Sequence, residues 1–242
     1  TGMVDRNLHL IHPGSWLARN HWMVQFGILF VGLCLRILLI NSESIALGIF
    51  FLVLILSAVS IGFYFGGKTW CHYFCPLAPV QKIYSEPGGL LESRAYDSQT
   101  NLSKSMCRTI SPYKTEVSAC VGCTQGCPDI DLEKQYWQQI ESPGRKLTYY
   151  GYFGLILGFY AYFWLYSGSW NYYFSGDWTR ESDLFAILYR HGFHQDFYWI
   201  PGLELVPRIL AVPLVLSGFV LAGYLFWTMV ERIHKKITGH PG

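Results

Sequence analysis

Charge is scarce in this chain. Only 14% of its 242 residues are Asp, Glu, Lys or Arg, where a soluble domain carries about 25%, so a free-standing soluble enzyme is excluded on composition. The charges nearly cancel, 18 Lys and Arg against 16 Asp and Glu, which argues against nucleic acid as a partner. A phosphate-binding glycine loop, a nucleophile elbow and an H-E-x-x-H helix are all absent, removing the commonest hydrolase and nucleotide-binding chemistries. No secretory signal precedes the first residue and position 1 is not Met; the expectation is the ordered part of a longer protein. Histidine is missing from the long apolar runs: His21 and His234 sit at their edges, and His9, His12 and His240 lie towards the ends. That disfavours a b-type cytochrome, which needs axial histidines inside the membrane.

Hydrophobic residues make up 51% of the chain and aromatic ones 17%. A hydrocarbon core of about 30 Å takes roughly 20 helical residues. Four runs approach that length: Met23 to Ile40, Ile45 to Phe65, Tyr149 to Tyr166 and Ile209 to Val230. Arg36 lies near enough to the end of the first to snorkel, and Pro213 falls in the opening turns of the fourth. Gly154 with Gly158, and Gly218 with Ala222, are small pairs one turn apart; they read either as close helix approaches or as mere gaps in packing.

Residues 41 to 44 are all that separates the first two runs, so these form an antiparallel hairpin and the relative topology follows. The N-terminal segment, the stretch from 66 to 148 and the C-terminal segment share one side with 14 Lys and Arg, against 3 on the other (Arg180, Arg190, Arg208). The positive-inside rule makes the 14-charge side, with both termini, cytoplasmic, in a bacterial-type inner (plasma) or thylakoid membrane.

Of the seven cysteines, Cys34 lies in the first run and reads as a small core residue; the other six occupy the cytoplasmic stretch. A reducing compartment makes a disulfide set improbable and leaves metal or redox chemistry. Cys71-x3-Cys75 is followed by Pro76, and Cys120-x2-Cys123-x3-Cys127 by Pro128. The second matches the last three cysteines of the bacterial ferredoxin run C-x2-C-x2-C-x3-C-P, and the first matches the last two. Gly122 and Gly126 let the backbone fold around sulfur and direct N–H groups at it. Cys107 is a sixth thiol without a local partner, an additional ligand or a bystander. Zinc also uses C-x2-C pairs and is the competing metal. Six thiolates secure one 4Fe-4S cluster, and a second needs to be a smaller cluster, to take a non-Cys ligand or to use cysteines from outside this sequence. His72, between the first two thiols, is a conceivable ligand, though it reads more readily as a surface histidine.

Together these features resemble the polytopic membrane ferredoxins. That group includes the membrane iron-sulfur subunit of periplasmic nitrate reduction, the nitrous-oxide reductase regulator and the accessory protein of cytochrome oxidase maturation. The resemblance covers about residues 45 to 150 and rests on C-x3-C-P directly after a span and C-x2-C-x3-C-P nearby. It implies electron relay through 4Fe-4S clusters at the cytoplasmic face, between a quinone or cytoplasmic donor and a metalloprotein acceptor. The chain departs from the pattern in lacking a full four-cysteine run and in having no C-x3-C-P after the third span.

Eleven aromatics between Trp170 and Trp199 suggest an outer loop lying against the membrane surface. Within it, His191 and His194 are one helical turn apart if helical, able to hold a metal or haem, to bond a quinone, or to sit at the interface with no ligand. The acidic stretch Asp129 to Glu133 reads as the start of a helix, or as a dock for a basic partner.

The expectation is therefore an all-α integral membrane protein of four transmembrane helices with a ferredoxin-like cysteine-rich cytoplasmic insertion. Its parts are residues 1–66, the iron-sulfur insertion 67–148, and a second helix pair with the outer loop, 149–242. Cys71, Cys75, Cys107, Cys120, Cys123 and Cys127 are the cofactor and metal ligands. Lys68, Lys82, Lys104, Arg108 and Lys114 make the surroundings cationic, which raises a cluster potential and draws an acidic, ferredoxin-like donor. Such a chain is an electron-transfer module of an oxidoreductase rather than a stand-alone enzyme, surrounded by lipid, with a redox protein or membrane oxidoreductase complex as its partner. Two rivals stand beside it: a scaffold or assembly subunit whose metal only pins the loop, and a reductase of copper or iron during another enzyme's maturation.

Overall fold

The structure is a computed structural model that describes residues 11, 14–40, 44–65, 68–92, 108–110, 113, 116–118, 136–137, 139–180 and 184–238. Helix α1 (Trp16–Leu35) runs on into a π-helical turn, Arg36–Ile40. Helix α2 is Ser44–Phe65, a second π turn is Trp70–Phe74, and α3 is Ala78–Glu92. Strands β1 (Arg108–Ile110) and β2 (Glu116–Ser118) form a small antiparallel ribbon with Thr109 opposite Val117. Helix α4 (Pro143–Ser167) follows, then the short α5 (Asn171–Phe174) and α6 (Leu184–Tyr189), and finally α7 (Arg208–Thr238). The chain is mostly helical, and the ribbon is the only sheet among the described residues.

Among the described residues, three helices are long and apolar enough to cross a membrane: α1 with its π turn, α2 and α7. The first begins at Trp16, seven residues before the expected Met23, because the polar residues Arg19, Asn20 and His21 are accommodated inside a kinked helix. Asn20 leaves helical geometry and its amide donates to the Trp16 carbonyl at 2.9 Å. The fourth expected span lies on α4, long enough at 25 residues but carrying six tyrosines. Its hydroxyls find protein partners: Tyr162 donates to the Gly192 carbonyl at 3.2 Å and Tyr150 to Glu231 at 3.1 Å. Helix α2 buries none of its residues in the protein, the surface expected of a helix solvated by lipid.

The chain divides into two compact units. The first comprises residues 1–29 and 53–146, the second 30–52 and 147–238 with the last four residues. In the second unit α4 is the central element, with Leu155, Phe159, Tyr162 and Phe163 all buried. It crosses α7 closely: a Cβ on Gly154 would run into the Phe219 carbonyl, and one on Gly223 would meet the Gly154 Cα at 3.0 Å. Gly218, expected at such a crossing, has open space around it and Ala222 is exposed; the true partner on α7 is one position further on, at Gly223. Gly168 ends α4 in the left-handed region (φ 71°), its N–H donating to the Trp164 carbonyl at 2.8 Å. Arg208, at the start of α7 and 1% exposed, places its guanidinium 4.3 Å over the Tyr166 ring.

Candidate metal centre

Cys71 lies in the π turn Trp70–Phe74 and Cys75 caps it, the Cys75 N–H donating to the Trp70 carbonyl five residues back, at 2.8 Å. Wide turns of this kind recur at functional sites. The turn stops at Cys75 because Pro76 bars the helical region to the residue before it, and Cys75 is extended there (φ −59°, ψ 120°). On a turn closed over five residues, backbone positions four apart are near neighbours. Cys71 is exposed, Cys75 is half-buried, and neither is in a disulfide.

Polar side chains of α1 lie behind this turn. Gln25 is fully buried, and its Nε2 donates to the Cys71 carbonyl at 3.0 Å, while its Oε1 meets no protein donor. His21 is buried edge-on against Tyr73, ring centres 5.8 Å apart, with Nδ1 2.9 Å from the Ala18 carbonyl. His72 is buried at 8% exposure; the expected surface histidine is a core residue, because the turn directs Cys71 rather than His72 outward.

A charged cluster sits one turn along α1. Glu86 of α3 and Arg145 of α4 are both buried and pair at 2.7 Å. Arg145 also donates to the Tyr136 carbonyl at 3.0 Å and stacks 4.3 Å from that ring. Lys82 places Nζ 4.1 Å over the Trp22 ring, whose Nε1 donates to Gln139 Oε1 at 3.0 Å. Burial, chiefly, and then Arg145 lower the Lys82 ammonium to about 8, while Glu86 opposes the shift.

Cys107, Cys120, Cys123 and Cys127 lie outside the described residues, as do Gly122, Gly126, the acidic stretch Asp129 to Glu133, Lys104 and Lys114. Lys68 is half-buried and Arg108 lies on β1. Among the described residues no three His, Cys, Asp or Glu side chains converge as a metal site. By chemistry alone, two thiolates amount to two of the four ligands of a cubane cluster, or to half of a zinc site.

In the outer loop the two histidines do not share a helical turn. His191 forms an isolated bridge with Pro207 and His194 is extended. His191 Nδ1 bonds the Glu204 carbonyl at 2.6 Å, and His194 Nδ1 lies 3.2 Å from Asp196. Tyr173 stacks on Trp178 at 5.9 Å, both against Phe163, while Phe174 and Trp199 remain exposed.

Sequence reasoning missed Trp22, Gln25, Glu86 and Arg145. Gln25 carried a signal, as a lone uncharged polar side chain in an apolar run; a pair 59 residues apart, such as Glu86 with Arg145, carries none. No family model, no curated protein and no solved structure matches this chain.

Proposed function

We propose that this chain is a membrane-bound electron carrier, an electron-transfer module in which Cys71, Cys75, Cys120, Cys123 and Cys127, with Cys107, hold at least one 4Fe-4S cluster. The observation that carries the reading is the C-x3-C-P pair on a single wide turn beside a membrane helix, with C-x2-C-x3-C-P following in sequence. Bound there, a cluster would supply one-electron storage. The chain's own residues present the thiolates, hold the Cys71 backbone through Gln25 and keep cationic side chains nearby. In this reading α4 is a fourth span whose Tyr150 and Tyr162 hydroxyls bond within the protein, both termini and the cysteine segment are cytoplasmic, and the aromatic outer loop rests at the opposite interface. Electrons pass between a quinone or ferredoxin-like donor and a membrane or periplasmic redox protein.

Anaerobic purification with iron, zinc and acid-labile sulfide counts tests the reading. Iron and sulfide near four per chain are expected. Stoichiometric zinc without sulfide would transfer the chain to the scaffold class, where the metal merely pins the loop.

A further inference from the structure

The first unit gathers three ionisable side chains: Glu86 and Arg145, both buried, and the half-buried Lys82. Glu86 is 2.7 Å from Arg145, so its charge is already matched. Lys82, over the Trp22 ring, is the surplus cation of the group. Two routes tie it to the cysteine turn. Along α1, Trp22 and Gln25 are three residues apart on one face, about 4.5 Å of helix axis, and Gln25 grips the Cys71 carbonyl. Along the chain, Lys82 lies on α3, which starts three residues after Cys75. A charge in such partly desolvated surroundings is weakly screened, so a further negative charge at the cysteines favours the protonated amine.

We propose that Lys82 is a redox-linked proton acceptor: when an electron reaches the centre held by Cys71 and Cys75, the Lys82 amine takes up a proton from solvent. The step rests on the iron-sulfur reading above. It balances as one electron from a low-potential one-electron donor, which reduces the centre by one, and one proton from water: an O–H bond breaks, an N–H bond forms as neutral amine becomes ammonium, and the hydroxide left behind goes to bulk solvent. Among the described residues, the charged and titratable groups facing Lys82 are Glu86 on its own helix, Arg145 on α4 and His21 on α1. Glu86 favours the ammonium and Arg145 disfavours it. With the amine lowered to about 8 before any cluster charge acts on it, the anionic centre moves the coupling window above that value.

The test is a redox titration followed by EPR, between about pH 6 and pH 10, on the loaded chain and on Lys82→Met and Lys82→Arg, with protons taken up per electron counted by indicator dye. In the wild type the midpoint should track Lys82→Arg at low pH and fall towards Lys82→Met at high pH, nearing 59 mV for each tenfold change in proton concentration. Both variants should be flat, and proton uptake should vanish in both. A wild-type midpoint that is flat across the range, or a slope that survives in Lys82→Met, overturns the proposal while leaving the cluster in place. If Lys82→Met fails to load, divergence of the wild type from Lys82→Arg above about pH 8 decides the question. A wild-type chain holding no iron-sulfur cluster instead defeats the underlying reading.

Discussion

Removing one member of the Glu86–Arg145 pair should be among the costliest single changes in the first unit. At 2.7 Å and an effective dielectric of about 20, the attraction is about 6 kcal/mol, offset by the desolvation of both groups. Glu86→Gln keeps the shape of the side chain and removes its charge. The guanidinium then stays buried, beside Lys82 and without its carboxylate, and truncations of this type cost about 3–5 kcal/mol. Arg145→Met should cost a similar amount, because it leaves a buried carboxylate and also frees the Tyr136 carbonyl of its donor. The double variant Glu86→Leu/Arg145→Met leaves neither charge behind and should lose less than either single. Unfolding in mild detergent, followed by tryptophan fluorescence, reads all three; Trp22 lies 5.8 Å from the guanidinium and serves as a local reporter. At about 2–4 °C per kcal/mol the single variants should melt on the order of 10 °C lower. Singles within 1 kcal/mol of wild type, or a double variant equal to their sum, would refute the reasoning.

Three further outcomes follow from the same structure. Cys71→Ser and Cys75→Ser should each lose most bound iron by metal analysis, whereas Cys34→Ser, in the interior of α1, should retain it. Gly154→Leu and Gly223→Leu should destabilise the α4–α7 crossing by about 1–3 kcal/mol or more, since the side chain meets backbone; Gly218→Leu, into open space, should unfold with the wild type. In the metal-free chain, the lowered Lys82 amine means that between about 8 and 10.5 the unfolded state holds a proton the folded state has released. Stability should therefore rise with pH across that window, and denaturant titrations of Lys82→Met should show no such rise.

Much of the helical plan was legible because the apolar runs are long and nearly uncharged, a signal that composition alone carries. Two of the expected runs coincide with spanning-length helices, α2 and α7, and a third is extended backwards to Trp16. The starting point of α1 was not legible, because Arg19, Asn20 and His21 look like the edge of an apolar run until the Trp16 carbonyl and Tyr73 supply partners for Asn20 and His21. Helix α4 reads ambiguously for a related reason: tyrosine is polar to a hydropathy scale, yet Tyr162 is fully buried with its hydroxyl on Gly192. The cysteine spacing marked the first pair, and Pro76 fixed where its turn ends. The width of that turn and the burial of His72 depend on backbone hydrogen bonding that no spacing rule contains. His191 and His194 are one turn apart only in a helix, and that condition is not met: Gly192 bonds Val206 and His191 bridges Pro207 in an extended segment.

The central claim is that the cysteines hold a cluster that carries electrons. Low-temperature EPR of anaerobically prepared membranes, before and after dithionite, tests it most directly. The account predicts a rhombic signal that appears on reduction, integrates to about one spin per cluster and is absent from Cys71→Ser membranes. A chain that stays EPR-silent at every potential, or carries zinc in place of iron, would contradict it.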